Sequence, residues 1–216
     1  MLFCKTIGLI GDVHQQVRAL EAALRYLSGL PLDRILCTGD VADGFGNFER
    51  CCALLREQNV ETVCGNHDRW LVKGTMRDMP DALPSDALAD PERGYLRSLP
   101  ATREINTVAG MVLLCHGMGD NDMGSLLPWD EGYALESNSE LQRIISSARW
   151  RIVVAGHTHR RLVRHFGNIH FINPGTLLQL DSAPTFAVLD VESQAVRFFE
   201  LRGTEPTEVE VVALRI

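Results

Sequence analysis

Seven residues whose side chains bind cations stand where apolar runs end in this chain. They are Asp12 and His14 in GDVH, Asp40 in GDVADG, Asn66 in GNHD, His116 in CHG, and His157 and His159 in GHTH. Each run stays apolar and then stops at Gly or Cys, followed by Asp, Asn or His. Five of the chain's seven histidines fall in these stops, a concentration that scattered surface turns would not produce. Imidazole and carboxylate without thiolate suit Mn, Fe, Zn or Ni better than a Cys-rich structural zinc. In the D-x-H and H-x-H pairs the middle residue of an extended segment points away, so both ligands face one side. Seven ligands exceed the needs of one ion. A carboxylate can bridge two, and ions about 3.5–4 Å apart would activate a water and hold a phosphoryl oxygen. The glycines preceding the ligands are expected to let the backbone turn sharply.

Such a set needs a frame that brings distant strand ends to one edge. Strands are predicted over 6–12, 33–40 and 60–68, with helices between them over 14–29 and 47–58. Val17, Leu20, Leu24 and Leu27 recur at helical spacing in the first helix. This strand–helix–strand rhythm implies right-handed parallel crossovers. Residues 76–94, rich in proline and aspartate, read as a surface excursion. From residue 104 the pattern becomes β-rich, with a hairpin turning at Ala109-Gly110 and another at Gly167-Asn168. Further strands are expected over 151–157, 185–191 and 195–202. The expected architecture is α/β (α+β): two packed mixed sheets with helices outside, in one domain over 1–216. In α/β sheets ligands bind at the carboxyl ends of the strands, which is where the seven residues fall.

The chain has 216 residues, 45% of them hydrophobic, which suits an ordinary globular core. A net charge of −7 argues against a broad phosphate-neutralising surface for nucleic acid. A bound cation would reverse the local field for a small phosphorylated ligand. The six cysteines form no C-x-x-C pair, and Cys4, Cys37, Cys64 and Cys115 lie in or beside apolar runs as buried small hydrophobes, so no disulfide framework is expected. No run is long enough to span a bilayer, and the first residues lack the charged and apolar regions of a leader, so the expected location is cytoplasmic.

GDVH, GDVADG, GNHD, HG and GHTH, in that order, resemble the motif series of calcineurin-like metallophosphoesterases of the small single-domain prokaryotic type. The resemblance covers residues 6–176 and includes INPGT at 172–176. It implies a four-layer αββα fold. It also implies one metal held by Asp12, His14, Asp40 and His159, and a second held by Asp40, Asn66, His116 and His157, with Asp40 bridging. The ions would be divalent or trivalent transition metals, manganese first, with iron, zinc or nickel as alternatives. His67 matches the family position that protonates the leaving oxygen or steadies the phosphate, and Asp68 would orient it. A metal-bridging hydroxide would attack phosphorus in line, without a phosphoenzyme.

Two departures narrow that reading. Phosphoprotein phosphatases of the superfamily carry GDxVDRG and GNHE, whereas GDVADG lacks the arginine and GNHD ends in Asp. The expected substrate is a small phosphodiester, phosphomonoester or nucleotide. A phosphoprotein or a dinucleoside polyphosphate is the alternative within the superfamily, and a non-catalytic protein-binding scaffold the alternative outside enzymes. The stretch after His116, about 117–135, reads as a lid or recognition loop. His165 and His170 flank a hairpin turn and match no motif.

Overall fold

The computed structural model describes residues 3–179 and 182–215; Met1, Leu2, Leu180, Asp181 and Ile216 of the expected 1–216 unit lie outside the described residues. The first part alternates strand and helix: β1 (Thr6–Ile10), α1 (Val17–Ser28), β2 (Arg34–Cys37), α2 (Phe48–Glu57), β3 (Glu61–Thr62) and α3 (Asn66–Lys73). A 3₁₀ turn at Ser85–Ala87 and α4 (Asp90–Ser98) lead to β4 (Thr102–Thr107) and β5 (Gly110–Cys115). Next come α5 (Tyr133–Glu136), α6 (Ser139–Ser147) and β6 (Ile152–Val154). The chain finishes with β7 (Arg161–Phe166), β8 (Ile169–Pro174), β9 (Thr185–Asp190), β10 (Ala195–Arg202) and β11 (Glu205–Ala213). One sheet runs β11-β10-β9-β1-β2-β3 and the other β4-β5-β6-β8-β7, and both are mixed.

Alternation along the strands explains the layers. In β1, Ile7 and Leu9 point between the sheets, where they meet Val112, Leu114, Ile152 and Val154. Ile10 faces the other way, into a cluster with Leu20, Leu24 and Leu27 of α1 and Leu55 of α2. On the far side Leu113, Val153 and Phe171 pack beneath Leu141 and Ile144 of α6. Strands buried on both faces read as near-continuous apolar runs, which is why they were visible in the sequence. The result is the expected sequence of layers, helix, sheet, sheet, helix. Because β1, β2 and β3 are parallel, and β5, β6 and β8 are parallel, each sheet delivers its carboxyl ends to one edge.

The structure departs from the sequence reading in four places. The third strand is only Glu61–Thr62, and GNHD opens α3 rather than closing a strand. Within the 76–94 excursion, Leu88 is buried and α4 begins at Asp90 with proline in its first turn. The first hairpin turns at Val108 and Ala109, one residue earlier than expected. Helix α6, capped by Asn138 accepting from the Leu141 amide, and edge strand β11 were not foreseen. All six cysteines are free, Cys64 half-buried and the others buried. No helix among the described residues is long and apolar enough to cross a membrane.

Candidate metal centre

The loop after β1 is zipped to the loop after β2 by backbone bonds. The Val13 and His14 amides both donate to the Asp40 carbonyl, and the Gln15 amide donates to Val41. This holds Asp12 and His14 beside Asp40. The five-stranded sheet supplies the rest, because the Gly156 amide donates to the His116 carbonyl and so joins the loop after β6 to the loop after β5. Asn173, from the INPGT stretch, clamps GHTH by donating to the Gly156 carbonyl (2.7 Å) and Thr158 hydroxyl (3.1 Å). The two sheets are stitched at this edge by a parallel bridge between Asp12 and Thr176.

These contacts gather all seven predicted cation ligands. Ligand atoms of Asp12, His14, Asp40 and His159 lie within 4.8 Å of one another. Next to them His116 Nε2 and His157 Nδ1 stand 2.9 and 3.0 Å from Asn66 Oδ1. Asp40 touches both groups. Its Oδ1 accepts from the His67 amide at 2.8 Å, and its Oδ2 lies 3.8 Å from His14 Nε2 and 3.3 Å from His116 Nε2.

The donor set fits a cation on chemical grounds. His14 Nδ1 donates to the Asp43 carbonyl (2.9 Å) and His116 Nδ1 to the Thr38 carbonyl (2.8 Å), which fixes both tautomers. In the neutral rings each Nε2 therefore presents a lone pair. For His14 that lone pair faces His159 Nε2 at 3.1 Å, and for His116 it faces Asn66 Oδ1 and Asp40 Oδ2. Asp12 Oδ2 is buried and accepts no hydrogen bond among the described residues, though His159 Nε2 is 3.0 Å away. Lone pairs converging on one another repel unless a positive charge sits among them.

Without an ion the charge falls on His116. Burial pulls its pKa down, but the Asp40 and Asp12 carboxylates outweigh that and raise it to about 10. Burial alone would raise Asp40 and Asp12. For Asp40 this is overcome chiefly by His116, with His14 and His67, and for Asp12 by His116 and His159, and both carboxyls stay below their usual range. His14 and His157 are lowered, by burial first.

The expected glycine turn is present at Gly39, just before Asp40, with φ 95°, but strain and space elsewhere at the site differ from expectation. Four of the seven ligands adopt left-handed backbone themselves: His14 (φ 43°), Asp40 (45°), His157 (64°) and His159 (58°). Non-glycine residues rarely do so, and such outliers cluster at functional sites. Gly65 has φ −87°, so it is not there to turn the chain. Its missing side chain makes room, since a Cβ would stand 2.8 Å from Asp40 Cγ. Gly156 is kept small by Asp12 and Thr38 in the same way.

His67 lies on the first turn of α3 beside the cluster, 4.9 Å between its ring centre and that of His14. Trp70 packs edge-on against it, whereas Trp129 is exposed and Trp150 donates to Glu104. The expected role of Asp68 is corrected: it does not touch His67. Its Oδ1 accepts from the Val41 and Ala42 amides (2.9 Å each) and its Oδ2 from the Gly65 amide (3.0 Å), pinning the GDVADG loop to α3. Burial and the neighbouring Asp40 raise its pKa to about 6. The partner of His67 is Asp43, whose Oδ2 lies 2.9 Å from His67 Nδ1. Burial pulls the His67 pKa down, but the Asp43 bond and nearby carboxylates outweigh it and raise it. The second aspartate of GDVADG was the available signal. Arg160 is exposed and Arg161 pairs with Glu200, so neither enters the cluster. His165 and His170 are cross-strand partners in the β7–β8 hairpin, as expected of ordinary strand residues.

A model of the calcineurin-like phosphoesterase superfamily domain matches residues 6–194. The chain belongs to that superfamily. A phosphodiesterase of Methanocaldococcus jannaschii is 22% identical over 196 residues, spanning 88% of this chain and 96% of that protein. An uncharacterised protein of the same archaeon is 36% identical over 62 residues, 29% of this chain and only 26% of that protein. The crystal structure of a metallophosphoesterase from Sphaerobacter thermophilus superposes with a TM-score of 0.70 at 22% identity, covering 93% of this chain and 89% of that one. At that identity the likeness speaks for the fold, and function must be argued from the site.

Proposed function

We propose that this protein hydrolyses a small phosphate ester, using two transition-metal ions held in the cluster. Asp12, His14, Asp40 and His159 would hold one ion, and Asp40, Asn66, His116 and His157 the other. The observation that carries this reading is Asp40 Oδ2, which stands between His14 Nε2 and His116 Nε2, two nitrogens whose neutral rings give their one proton to backbone carbonyls, so that a positive charge is needed among them. Ions so bound would supply Lewis acidity toward a phosphoryl oxygen and lower the pKa of a water. Imidazole and carboxylate donors without thiolate suit manganese, iron, zinc or nickel, and the family resemblance puts manganese first.

The residues of the chain do the remaining work. His67 Nδ1 is held by Asp43, and the same carboxylate favours the protonated ring, whose Nε2 is then left to donate a proton to the departing oxygen or a hydrogen bond to the phosphoryl group. The His67 amide, on the first turn of α3, donates to Asp40 Oδ1, so the partial positive charge of that turn holds the proposed bridging carboxylate. Asp68 keeps that turn in register with Asp40.

The test is to strip the protein with chelator, restore Mn, Fe, Zn, Ni or Mg singly, and assay p-nitrophenyl phosphate and bis-p-nitrophenyl phosphate in parallel. Metal-dependent turnover that disappears in Asp40→Ala is expected, and the ratio of the two rates assigns mono- or diester preference. Two ions bound without turnover on either ester would overturn the proposal and favour a scaffold.

A further inference from the structure

Asp43 is fully buried, and each of its oxygens has two partners. Oδ1 accepts from Arg77 Nη1 (2.8 Å) and the Leu83 amide (2.9 Å), and Oδ2 from Arg77 Nη2 (2.8 Å) and His67 Nδ1 (2.9 Å). Arg77 is itself fixed, giving Nε to the Thr75 carbonyl (2.8 Å) and Nη1 also to the Leu83 carbonyl (3.0 Å). The Asp81 carbonyl accepts from the Gly44 amide, one residue beyond Asp43. The segment 75–83, between α3 and α4, is thus closed over the back of the His67–Asp43 pair through one guanidinium. Its side chain is 15% exposed, so Arg77 backs Asp43 from the interior of the segment.

We propose that Arg77 is a positioning residue for His67: its two-pronged grip on Asp43 fixes the carboxylate plane and thereby the direction of His67 Nε2. Without Arg77 the carboxylate would keep one bond at each oxygen, from the Leu83 amide and from His67, and Leu83 belongs to the segment that Arg77 itself ties down, so the plane could tilt about the Cβ–Cγ bond. Two parallel bonds from a planar guanidinium remove that rotation. The inference rests on the phosphoesterase reading for its kinetic consequences and on the hydrogen bonds above for its geometry.

The two parts are tested separately. In metal-free protein, at a pH where the His67 ring is neutral, nitrogen-15 spectra are expected to show a single Nδ1–H tautomer in the wild type and a mixture in Arg77→Met. An unchanged single tautomer in the variant would overturn the proposal whether or not the wild type turns over any ester. In metal-loaded protein, a proton donated to the leaving group matters most when that group leaves poorly. Arg77→Met is therefore expected to lose on the order of 10²-fold in kcat on an alkyl ester but only about threefold on the p-nitrophenyl ester, with KM and bound metal unchanged. Equal losses on both esters would overturn it. Should Arg77→Met fail to fold, Arg77→Ala supplemented with free guanidinium is the second arm. Selective recovery of the alkyl ester rate supports the proposal, and equal recovery of both rates refutes it. Failure of the phosphoesterase reading shows differently, as a wild type inactive with every metal.

Discussion

Replacing Gly156 with alanine adds one methyl group where the loop after β6 meets Asp12, the first of the proposed metal ligands. That Cβ would stand 2.8 Å from Thr38 Cβ, and closer still to Thr38 Oγ1 and Asp12 Oδ1. Carbon atoms pack comfortably at about 3.5–4.0 Å, so about 1 Å of movement is required. The three atoms met are all side-chain atoms, so the backbone can stay while Asp12 and Thr38 yield. Metal–ligand distances tolerate only about ±0.2 Å, several-fold less than that movement. The expected result is a fold weakened by about 1–3 kcal/mol and metal affinity reduced by on the order of 10- to 100-fold. Denaturant melts of the metal-free protein read the first quantity and metal titration the second. Gly167→Ala is the control, since nothing lies near its Cβ and only its φ of 59° is strained. It should cost about 1 kcal/mol and leave metal binding intact. A Gly156→Ala protein that binds both ions at wild-type affinity would refute the reasoning.

Three other outcomes are expected. His170 is buried, accepts from the Arg215 amide at 3.2 Å, and burial with His165 and Arg151 lowers its pKa to about 4. The unfolded chain takes up this proton near pH 6.5 and the folded one only near 4, so stability falls as pH drops through that window. The difference in unfolding free energy between wild type and His170→Leu should change by about 2 kcal/mol across it, less than the full linkage because His165 is open to solvent; a constant difference would contradict this. His159 is left-handed and pairs with buried Asp12, so strain is read by comparing two variants that both lose the ring. Metal-free His159→Gly should be about 0.5–1 kcal/mol more stable than His159→Ala, both should respond less to metal than wild type, and equal stability of the two would count against stored strain. Arg69 holds Asp122 by two bonds of 2.5 and 2.9 Å at a half-exposed position. Asp122→Ala should cost under about 1 kcal/mol but raise KM several-fold, because it frees the segment after His116, and an unchanged KM would mean that segment does not meet the substrate.

Most of the frame was legible because its strands are apolar on both faces and stop abruptly at polar residues. Ile7–Ile10 and Ile152–Val154 announce themselves in this way. β11 did not, because an edge strand alternating Glu208, Val209, Glu210 and Val211 buries little and reads as a tail. The gathering of the seven candidate ligands was legible because each sits within a few residues of a strand end, so topology alone collects them. Asp68 was misassigned by adjacency: GNHD begins a helix, where successive side chains diverge and cannot share one partner. Asp43 carried a signal in its motif. Arg77 carried none, since its contact spans 34 residues and arises only from the path of an aperiodic segment.

The division of ligands between the sheets has a mechanical consequence. Asp12, His14, Asp40 and Asn66 hang from the six-stranded sheet, and His116, His157 and His159 from the five-stranded one. Apart from the Asp12–Thr176 and Cys4–Thr107 backbone bridges, the sheets meet largely through side chains such as Leu9, Leu114 and Val154, contacts that resist separation but little resist sliding. Coordination bonds are directional, so bound ions would rivet one sheet to the other at a single edge. Loading would then slow amide exchange in β1 and β6 together, the two strands on either side of the rivet. Shear between the layers, rather than melting of either, would be the motion that releases the ions.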